Sequence, residues 1–434
     1  MRGARDAWGL KRLGLPASPP DPVLTNTSHR MPSPTVRLPD PPPPSPTHRR
    51  LVVTSIVIGA AVIAVGMLKT GRSMLRALSG ETEITALLRE VPEDVKPYRP
   101  VYSLAPWTLV LSAGEALDLR RLLRTAQFDS VEIALRLAQD EAAVDVRAEW
   151  RYYDSYVALV EPSLRAALDA WIAAHPRVVE ARIARGMYFV NLAGVRRGGA
   201  VAGRTKRAQF GALDATLDSS FAEIRVALKG DPSNLAAYWV LQRAAGFHGQ
   251  ADVLPTYNRA LRLSPASFVT RWLAITILAP RWGGTYESMD RVAAQAQQFA
   301  SANPELRTLQ GFVDWDQADA AWQRDDAERA ISQAKASTSY GESYTLCLKA
   351  ARILWYYDRE PEALPFARCA VARRNASADG HLTLGRVLYG LGRRDPADWT
   401  AYYSRARESA LLAYQLDSSD DQVSKFSREF STAR

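Results

Sequence analysis

Two segments of the chain, FAEIRVALKGDP at 221–232 and LPTYNRALRLSP at 254–265, share one pattern and end in prolines that lie 33 residues apart. In both segments, apolar residues recur three and four positions apart, as they do along one face of an α-helix. Proline ends each helical pattern, and Pro176 and Pro304 mark further ends of this kind. A period of 33 or 34 residues is typical of stacked helix–turn–helix units. The pattern predicts an all-α chain built as an α-solenoid.

Helical patterning extends beyond these two segments. The windows 116–127 and 128–144 also place apolar residues three and four positions apart. Runs of β-branched residues with a period of two are absent from the chain. We therefore expect very little β-strand.

Small and aromatic residues recur at fixed places in the helical units. Ala260 and Tyr257 precede Pro265 by five and eight residues, and Gly186 and Phe189 lie three residues apart in an earlier unit. In this register the chain resembles the tetratricopeptide repeat (TPR) superfamily. Small residues allow the two helices of a unit to approach closely, and bulky residues fill the groove between neighbouring units. The resemblance implies helical hairpins that stack into a curved array over about residues 165–420.

The C-terminal part fits this register best. With Tyr344 as position 1, two consecutive units carry small or apolar residues at the required positions, namely Ala351, Leu354, Ala363, Ala370, Gly385, Leu388, Ala406, Ala410 and Ala413. The second unit has nine extra residues, 393–401, which we expect to form a longer loop between its helices. Both units lack the proline that the superfamily carries at position 32.

A second resemblance covers about residues 120–320. It rests on QFDSVEIAL (127–135), Arg185-Gly186, Asp231-Pro232 and APRWGGTYESM (279–289). These segments look like a bacterial domain family of unknown function that has a Pro-Lys-Trp-Gly-Gly-Ser motif. Here Arg281 stands in place of the lysine and Thr285 in place of the serine. The resemblance implies a helical, repeat-like fold and no particular activity.

Residues 51–68, LVVTSIVIGAAVIAVGML, carry no charge and are almost wholly apolar. A helix of this length spans about 27 Å, close to the thickness of roughly 30 Å that a bilayer's hydrocarbon core has. The run predicts a single transmembrane signal anchor, because the 50 residues before it are too many for a cleaved signal peptide. Small residues four positions apart within it, such as Ser55 and Gly59, suit helix pairing, so a homo-oligomer is one expectation.

The positive charge of the chain is concentrated in its N-terminal tail. Residues 1–50 are rich in proline and contain eight Lys or Arg and three Asp, so they carry +5 of the formal net charge of +9. Such a tail favours an extended, disordered chain. The remaining residues are close to balanced, so we expect no nucleic-acid partner. Binding of anionic lipid or nucleic acid through the basic tail and the basic loop at 196–204 is kept as an alternative function.

The most unusual short segment is Pro280-Arg281-Trp282-Gly283-Gly284-Thr285. Its glycines permit positive φ, and Thr285 is suited to cap a following helix. We expect a structural turn with Trp282 packed. The alternative is an anion site in which Arg281, Trp282, Gly283 and Gly284 form a loop at a helix N-terminus.

Motifs for catalysis and for metal binding are absent. There is no G-x-x-x-x-G-K-[ST] sequence, and the five histidines form no H-E-x-x-H pattern. Asp314, Asp316 and Asp319, together with Asp325 and Asp326, form an acidic cluster, which we expect to be a solvated helix face and its cap. We therefore predict no catalytic residue, no metal and no cofactor, and we predict that the chain is not an enzyme. A cell-envelope hydrolase on a helical scaffold remains the alternative.

The two cysteines, Cys347 and Cys369, occupy positions 4 and 26 of one unit. Antiparallel helices bring these positions together near one end of a hairpin. Two buried thiols and a disulfide are both compatible with this placement. An oxidising compartment would favour the disulfide.

These features predict a membrane-anchored scaffold that binds an unidentified protein or peptide. Helix positions 9 and 12 of the two best units carry two matched pairs, Arg352 with Trp355 and Arg386 with Tyr389, which we expect on the concave face. The shortness of the tail favours an orientation with the tail inside and the main domain outside the cytoplasm. We expect a bacterial inner membrane, which would place the C-terminal domain in the periplasm. The expected segments are a tail (1–50), an anchor (51–68), a linker (69–115), a helical domain (116–320) and C-terminal repeats (321–425).

Overall fold

The computed structural model describes residues 82–98, 109–198, 205–248 and 250–431. The predicted tail and the predicted transmembrane run at 51–68 lie outside the described residues, as does most of the basic loop at 196–204. Among the helices that are described, none has the length and apolar character needed to cross a bilayer.

The described part of the chain contains eighteen α-helices and no β-strand. In chain order they are α1 (Glu83–Glu90), α2 (Ala113–Arg124), α3 (Phe128–Val144), α4 (Glu149–Val157), α5 (Arg165–Ala174), α6 (Val179–Arg197), α7 (Arg207–Gly230), α8 (Leu235–His248), α9 (Gln250–Leu263), α10 (Phe268–Ile277), α11 (Tyr286–Ala296), α12 (Phe312–Gln323), α13 (Ala327–Ser337), α14 (Tyr344–Tyr356), α15 (Glu360–Arg373), α16 (Ala378–Arg394), α17 (Trp399–Leu416) and α18 (Asp421–Ser431). A 3₁₀-helix (Pro304–Gly311) precedes α12.

From α6 onward, consecutive helices pair into hairpins, which are α6–α7, α8–α9, α10–α11, α12–α13, α14–α15 and α16–α17. The first helices of neighbouring hairpins also contact each other, as in α6 with α8 and α14 with α16. Contacts of similar extent between second helices are not found in the described residues, so the first helices lie on the inner side of the curve. The predicted all-α stack of helical hairpins is confirmed.

Prolines and small residues act as the sequence predicts. Helices α7 and α9 end just before the turns that contain Pro232 and Pro265. At Gly186, an added Cβ would lie 2.7 Å from Ile224 Cδ1 of the partner helix. Gly385 likewise leaves room for the carbonyl of Ala406, 3.2 Å from the Cβ that an alanine would carry. Close approach of paired helices therefore requires small residues at these positions.

Two predicted segments differ from the structure. The expected long loop at 393–401 is only four residues, 395–398, because the extra residues lengthen α16 and α17 instead. The expected linker at 69–115 contains helix α1, which buries Ile84, Leu87 and Leu88 against α7 and α9. Helix α1 is amphipathic, so packing on the array covers its apolar face.

An N-terminal helix contacts the C-terminal hairpins. Helix α2 contacts α17, where Arg120 Nη1 donates to the carbonyl oxygen of Leu416 at 2.6 Å. The backbone N–H of Ala113 donates to Asn375 Oδ1 at 2.8 Å. From Glu83 onward the chain forms one compact unit, and these contacts cross the boundary that we expected at residue 320.

Helix α4 (EWRYYDSYV) lies on the inner side of the array and is almost completely buried. Seven of its nine residues are buried, and they include Trp150, Tyr152, Tyr153 and Tyr156. The rings of Tyr152 and Tyr153 contact Trp239 of α8, and the ring of Trp150 contacts Phe268 and Trp272 of α10. Much of the expected concave groove is therefore filled by the chain itself.

A glycine tests this close packing. At Gly311, the junction of the 3₁₀-helix with α12, an added Cβ would overlap the carbonyl oxygen of Ser337. We expect Gly311→Ala to lower the free energy of unfolding by about 1–3 kcal/mol, because the obstacle is backbone and cannot rotate away. Urea unfolding followed by tryptophan fluorescence measures the change.

Gly211, in the second turn of α7, is the matched control because an added Cβ there meets no atom within 4 Å. Gly211→Ala should raise the stability by about 0.5–1 kcal/mol, since alanine is the better helix former. Equal effects of the two substitutions would contradict the described packing.

Candidate functional site

A cleft of about 280 Å³ opens between α4 and the C-terminal hairpins, and we call it the inner cleft. Helices α2, α4, α6, α8 and α10 supply one wall. The start of α14, the α15–α16 turn and the α17–α18 turn supply the other wall. Its charged lining residues are Arg120, Asp154, Glu161, Arg243, Arg374, Asp379, Asp417 and Asp420.

An ion pair joins the two walls at one point. Arg374 Nε donates to Asp154 Oδ2 at 2.9 Å, and its guanidinium stacks over the rings of Trp150 and Tyr344 at 4.8 Å and 4.7 Å. Burial lowers the pKa of Arg374, but the Asp154 carboxylate more than offsets this and raises the pKa above its usual range. Arg374 is therefore charged, and its contact with Asp154 serves structure.

Arg120 makes a second connection between the walls. Its guanidinium donates to the carbonyl oxygens of Ala158 and Leu416, at 2.7 Å and 2.6 Å, and lies 3.5 Å from a carboxylate oxygen of Glu161. Leu416 ends α17, so the cation also meets the negative end of that helix dipole. Arg120 has its bonding capacity largely occupied by the chain itself.

Arg243, on α8, is the cation of the cleft that the chain does not neutralise. Its Nη1 donates to the hydroxyl of Tyr153 at 2.8 Å. Within the described residues no carboxylate lies within ion-pair distance of it. On the other wall, Asp417 and Asp420 likewise lack an ion-pair partner among the described residues. No Lys or Arg of that part of the chain forms an ion pair with either carboxylate. Such an arrangement suits the binding of a polar, charged group.

A second cavity, of about 400 Å³, lies beside Tyr152 at the end of α3. Alanine, proline, valine and leucine provide most of its lining, and Asp145 is its charged residue. Asp145 already pairs with Arg147 at 2.5 Å. This cavity offers little specific chemistry, so the inner cleft is the candidate site.

One group of three residues in the described part of the chain resembles a metal site. The ligand atoms of Asp129, Glu132 and His175 lie within 4.8 Å of one another. His175 Nδ1 is only 2.6 Å from Glu132 Oε1, which also accepts a hydrogen bond from Trp171 at 3.0 Å. Ligands of one tetrahedral zinc lie about 3.3 Å apart, so the contact is that of a hydrogen bond. We assign no metal to this group.

The Pro280–Thr285 segment forms the predicted turn. Gly283 has φ +88, and Thr285 caps α11 by accepting from the backbone N–H of Ser288 at 3.1 Å. Arg281 pairs with Asp316 and Asp319 and lies over the ring of Trp315 at 4.8 Å. These carboxylates already bind the guanidinium group that an anionic ligand would have to contact.

Two expectations about this region were wrong. Trp282 is 50% exposed rather than packed, and the ring that covers Arg281 is that of Trp315. Asp316 and Asp319 are buried rather than solvated, because they pair with Arg281, and Asp319 also with Lys349. Burial raises the pKa of Asp319, yet these cations lower it overall. The cluster joins the α10–α11 hairpin to α12 and α14.

The two expected Arg/aromatic pairs lie at contacts between C-terminal hairpins. Arg352 Nη2 lies 2.6 Å from Asp379 Oδ1. Arg386 is only 9% exposed and lies between the rings of Trp355 and Phe426, each at 5.4 Å. Burial lowers its pKa to about 9, so it stays charged at neutral pH.

Tyr389, the other aromatic of these pairs, packs against Trp399, Phe426 and Phe430. Helix α18 supplies Phe426 and Phe430 and therefore covers this part of the inner side. In this arrangement, α18 occupies the surface where we expected the pairs to contact a peptide.

Cys347 and Cys369 form a disulfide between α14 and α15, with their Cα atoms 5.9 Å apart. Of the two states that the sequence left open, the structure contains the bonded one. The bridge holds the hairpin that carries Tyr344 and precedes Arg374, so it lies directly behind the second wall of the inner cleft.

Residues 115–257 match a family described as a domain of unknown function, DUF4034. The match lies largely within the region for which the sequence resembles a domain family of unknown function, but it ends before the Pro280–Thr285 motif. No curated protein matches the sequence significantly.

Among solved structures, the TPR domain of P58(IPK) aligns with 10% identity, covering 74% of this chain and 99% of that domain. The TM-score of 0.26 is too low to establish a shared fold. The hairpin architecture described above therefore stands on this chain's own contacts.

Helix α4 is the part of the site that sequence reasoning missed. Its nine residues hold one tryptophan and three tyrosines among charged residues, a density of aromatic side chains that is a signal of burial. Periodicity does not reveal it, because a helix that is buried on every side lacks a polar face.

Glu149 at the start of α4 provides a test by pH. Its Oε2 accepts from the backbone N–H groups of Phe268 and Val269 at 2.8 Å and 3.1 Å, and burial raises its pKa from 4.5 to about 7. Between these values the folded protein holds a proton that the unfolded chain has lost. The contribution of Glu149 to stability is therefore greatest below pH 4.5 and falls as the pH rises to 7.

We expect the stability difference between the wild type and Glu149→Gln to change by about 3 kcal/mol between pH 4.5 and 7.5, with the wild type losing more. Urea unfolding at a series of pH values measures this difference. Parallel pH profiles for the two proteins would show that Glu149 does not titrate in this range.

Proposed function

We propose that this chain is a membrane-anchored scaffold that binds a segment of a partner protein in its inner cleft. The observation that carries the proposal is the inner cleft itself. Helices α4 and α18 cover much of the inner side of the hairpin array. The inner cleft that remains contains Arg243, Asp417 and Asp420, which have no ion-pair partners among the described residues. Charged groups that a fold leaves unpaired in a concave site are suited to recognition.

We propose that the inner cleft contains no catalytic residue. Its buried ion pair, Asp154 with Arg374, is held by aromatic rings and joins two walls of the protein. A general acid or base needs access to a reacting group, and this pair is engaged on both sides. We therefore propose binding rather than chemistry as the activity.

Membrane attachment belongs to the same proposal. The apolar run at 51–68 has the length of a transmembrane anchor. The disulfide between Cys347 and Cys369 supports an oxidising compartment for the C-terminal domain, since such bonds persist in the periplasm and are rare in the cytosol. We propose an inner-membrane protein with the hairpin array in the periplasm of a bacterial cell.

Site-specific photocrosslinking tests the scaffold. A photoreactive amino acid at Asn191, which lines the inner cleft, is compared with one at Val226, which is 45% exposed on the second helix α7. We expect one protein to be captured from Asn191 and not from Val226 in detergent-solubilised membranes. Capture should fall when residues 1–70 are deleted, because the protein then leaves the membrane.

The captured protein is then purified and mixed with the purified scaffold. Binding that Arg243→Gln weakens supports the inner cleft as the site. Equal capture from the inner and outer positions, or no capture from either, would reject the proposal. Arg352→Ala with Arg386→Ala tests in the same assay whether the C-terminal Arg/aromatic pairs take part.

Thiol trapping tests the compartment. Cells are quenched with acid and the denatured protein is treated with an alkylating reagent, so that buried free thiols also react. The protein is then reduced and treated with a second, heavier reagent. We expect the heavier reagent to label both cysteines, because the disulfide protects them from the first. A Cys347→Ser variant, whose Cys369 has no partner within the chain, provides the control. Labelling of both wild-type thiols by the first reagent would contradict a periplasmic location.

A further inference from the structure

The charges of the inner cleft are divided between its two walls. Two arginines of the cleft have partners within the chain. Arg374 pairs with Asp154, and Arg120 contacts Glu161 and two carbonyl oxygens. Asp379 is paired with Arg352 at 2.6 Å. The charged residues of the cleft that have no ion-pair partner among the described residues are Arg243, on the wall of N-terminal helices, and Asp417 and Asp420, on the wall of C-terminal hairpins.

Arg243 is placed to receive an anionic group. Tyr153 takes one of its N–H donors, at 2.8 Å, and holds the side chain from the α4 side. A guanidinium has five donors, so capacity for a bidentate contact remains. Asn191 lines the same cleft and adds a side-chain amide.

Asp417 and Asp420 are placed to receive a cation. Asp417 Oδ1 accepts from the backbone N–H and the hydroxyl of Ser419, at 3.0 Å and 2.7 Å. Asp420 Oδ1 caps α18 by accepting from the N–H groups of Gln422 and Val423, at 2.7 Å and 2.9 Å. These bonds fix both carboxylates and use one oxygen of each. Their negative charge has no cationic partner at ion-pair distance among the described residues.

The volume limits what can bind between these walls. At about 280 Å³ the inner cleft is near the lower end of the range for small-molecule sites, so it holds one or two residues of a peptide rather than a long segment. A ligand that contacts both walls therefore carries an anionic and a cationic group within one or two residues.

We propose that the inner cleft binds a peptide end that has a free α-carboxylate and a lysine or arginine side chain. The carboxylate contacts Arg243, and the cation contacts Asp417 and Asp420. This inference rests on the proposed function, for which it names the chemistry of the bound segment. A free dipeptide and the C-terminus of a protein share this chemistry.

Isothermal titration of the full-length protein in detergent tests the charge requirement. The probes are the dipeptide Gly-Lys, its C-terminal amide, and acetyl-Gly-Gly, which keeps the carboxylate and lacks the cation. We expect Gly-Lys to bind at least about tenfold more tightly than either of the others, because each loses one charge-assisted contact. No binding of Gly-Lys, or equal binding of Gly-Lys and its amide, would overturn the inference.

Variants assign the two ends of the ligand. Arg243→Gln should remove the preference for Gly-Lys over its amide, and Asp417→Asn with Asp420→Asn should remove the preference for Gly-Lys over acetyl-Gly-Gly. Asparagine keeps the acceptor oxygen that caps α18, so the double variant tests charge. Arg291→Gln, an exposed change on α11 outside the cleft, is the matched control and should leave all three affinities unchanged. Unaltered preferences in the cleft variants would refute the assignment.

A decapeptide of Gly and Ser ending in Gly-Lys distinguishes the two sources. Affinity equal to that of the dipeptide supports a protein C-terminus, and binding of the dipeptide alone supports a free small peptide. The result also separates this inference from the proposed function. If a partner is captured from Asn191 but Gly-Lys does not bind, the scaffold is supported and the peptide end is rejected as the ligand. If Gly-Lys binds but no partner is captured, the peptide end is supported and the scaffold is rejected.

Discussion

The structure depends on the burial of α4 inside the hairpin array. A buried polar group that lacks a partner costs free energy, and most polar side chains of this helix have a partner on a surrounding element. Glu149 finds it at the start of α10, Tyr153 at Arg243 of α8, and Asp154 at Arg374 beyond α15. Because these partners come from separate hairpins, the contacts of α4 set the positions of those hairpins relative to one another.

The same constraint explains why a cleft exists. Aromatic rings of α4 fill the space against α8 and α10, where the neighbouring surfaces are apolar. Towards the C-terminal hairpins, the contacts are instead an ion pair and hydrogen bonds to carbonyl groups, made by Arg374 and Arg120. Charged side chains hold the walls at fixed points without closing the space between them. The inner cleft is what remains.

The position of the disulfide fits this account. Cys347 and Cys369 join the two helices of the hairpin whose ends carry Tyr344 and Arg374. A covalent link there holds the two helices of that hairpin together and so keeps Tyr344 and Arg374 on one rigid unit. The bond therefore supports the wall that bears most of the cleft's polar contacts.

Residues chosen from the sequence for their chemical type were found at contacts within the chain. Arg281 lies among Asp316, Asp319 and Trp315, and Arg386 lies between two aromatic rings. Arginine suits both ligand binding and structural pairing, and residue type alone does not distinguish them. Arg243, the cation of the inner cleft that has no carboxylate at ion-pair distance among the described residues, stands in an ordinary helical segment with no motif around it.

The sequence by itself determined the local architecture. Apolar spacing specified helices, prolines such as Pro232 and Pro265 specified where hairpins end, and Gly186 and Gly385 specified where paired helices approach closely. Each of these effects acts within one hairpin, through sterics and helical periodicity. Only the tertiary structure decided that α4 fills the inner side and that a charged cleft lies beside it. Asp154 and Arg374 are 220 residues apart, and a contact over such a separation leaves no period or motif in a single sequence.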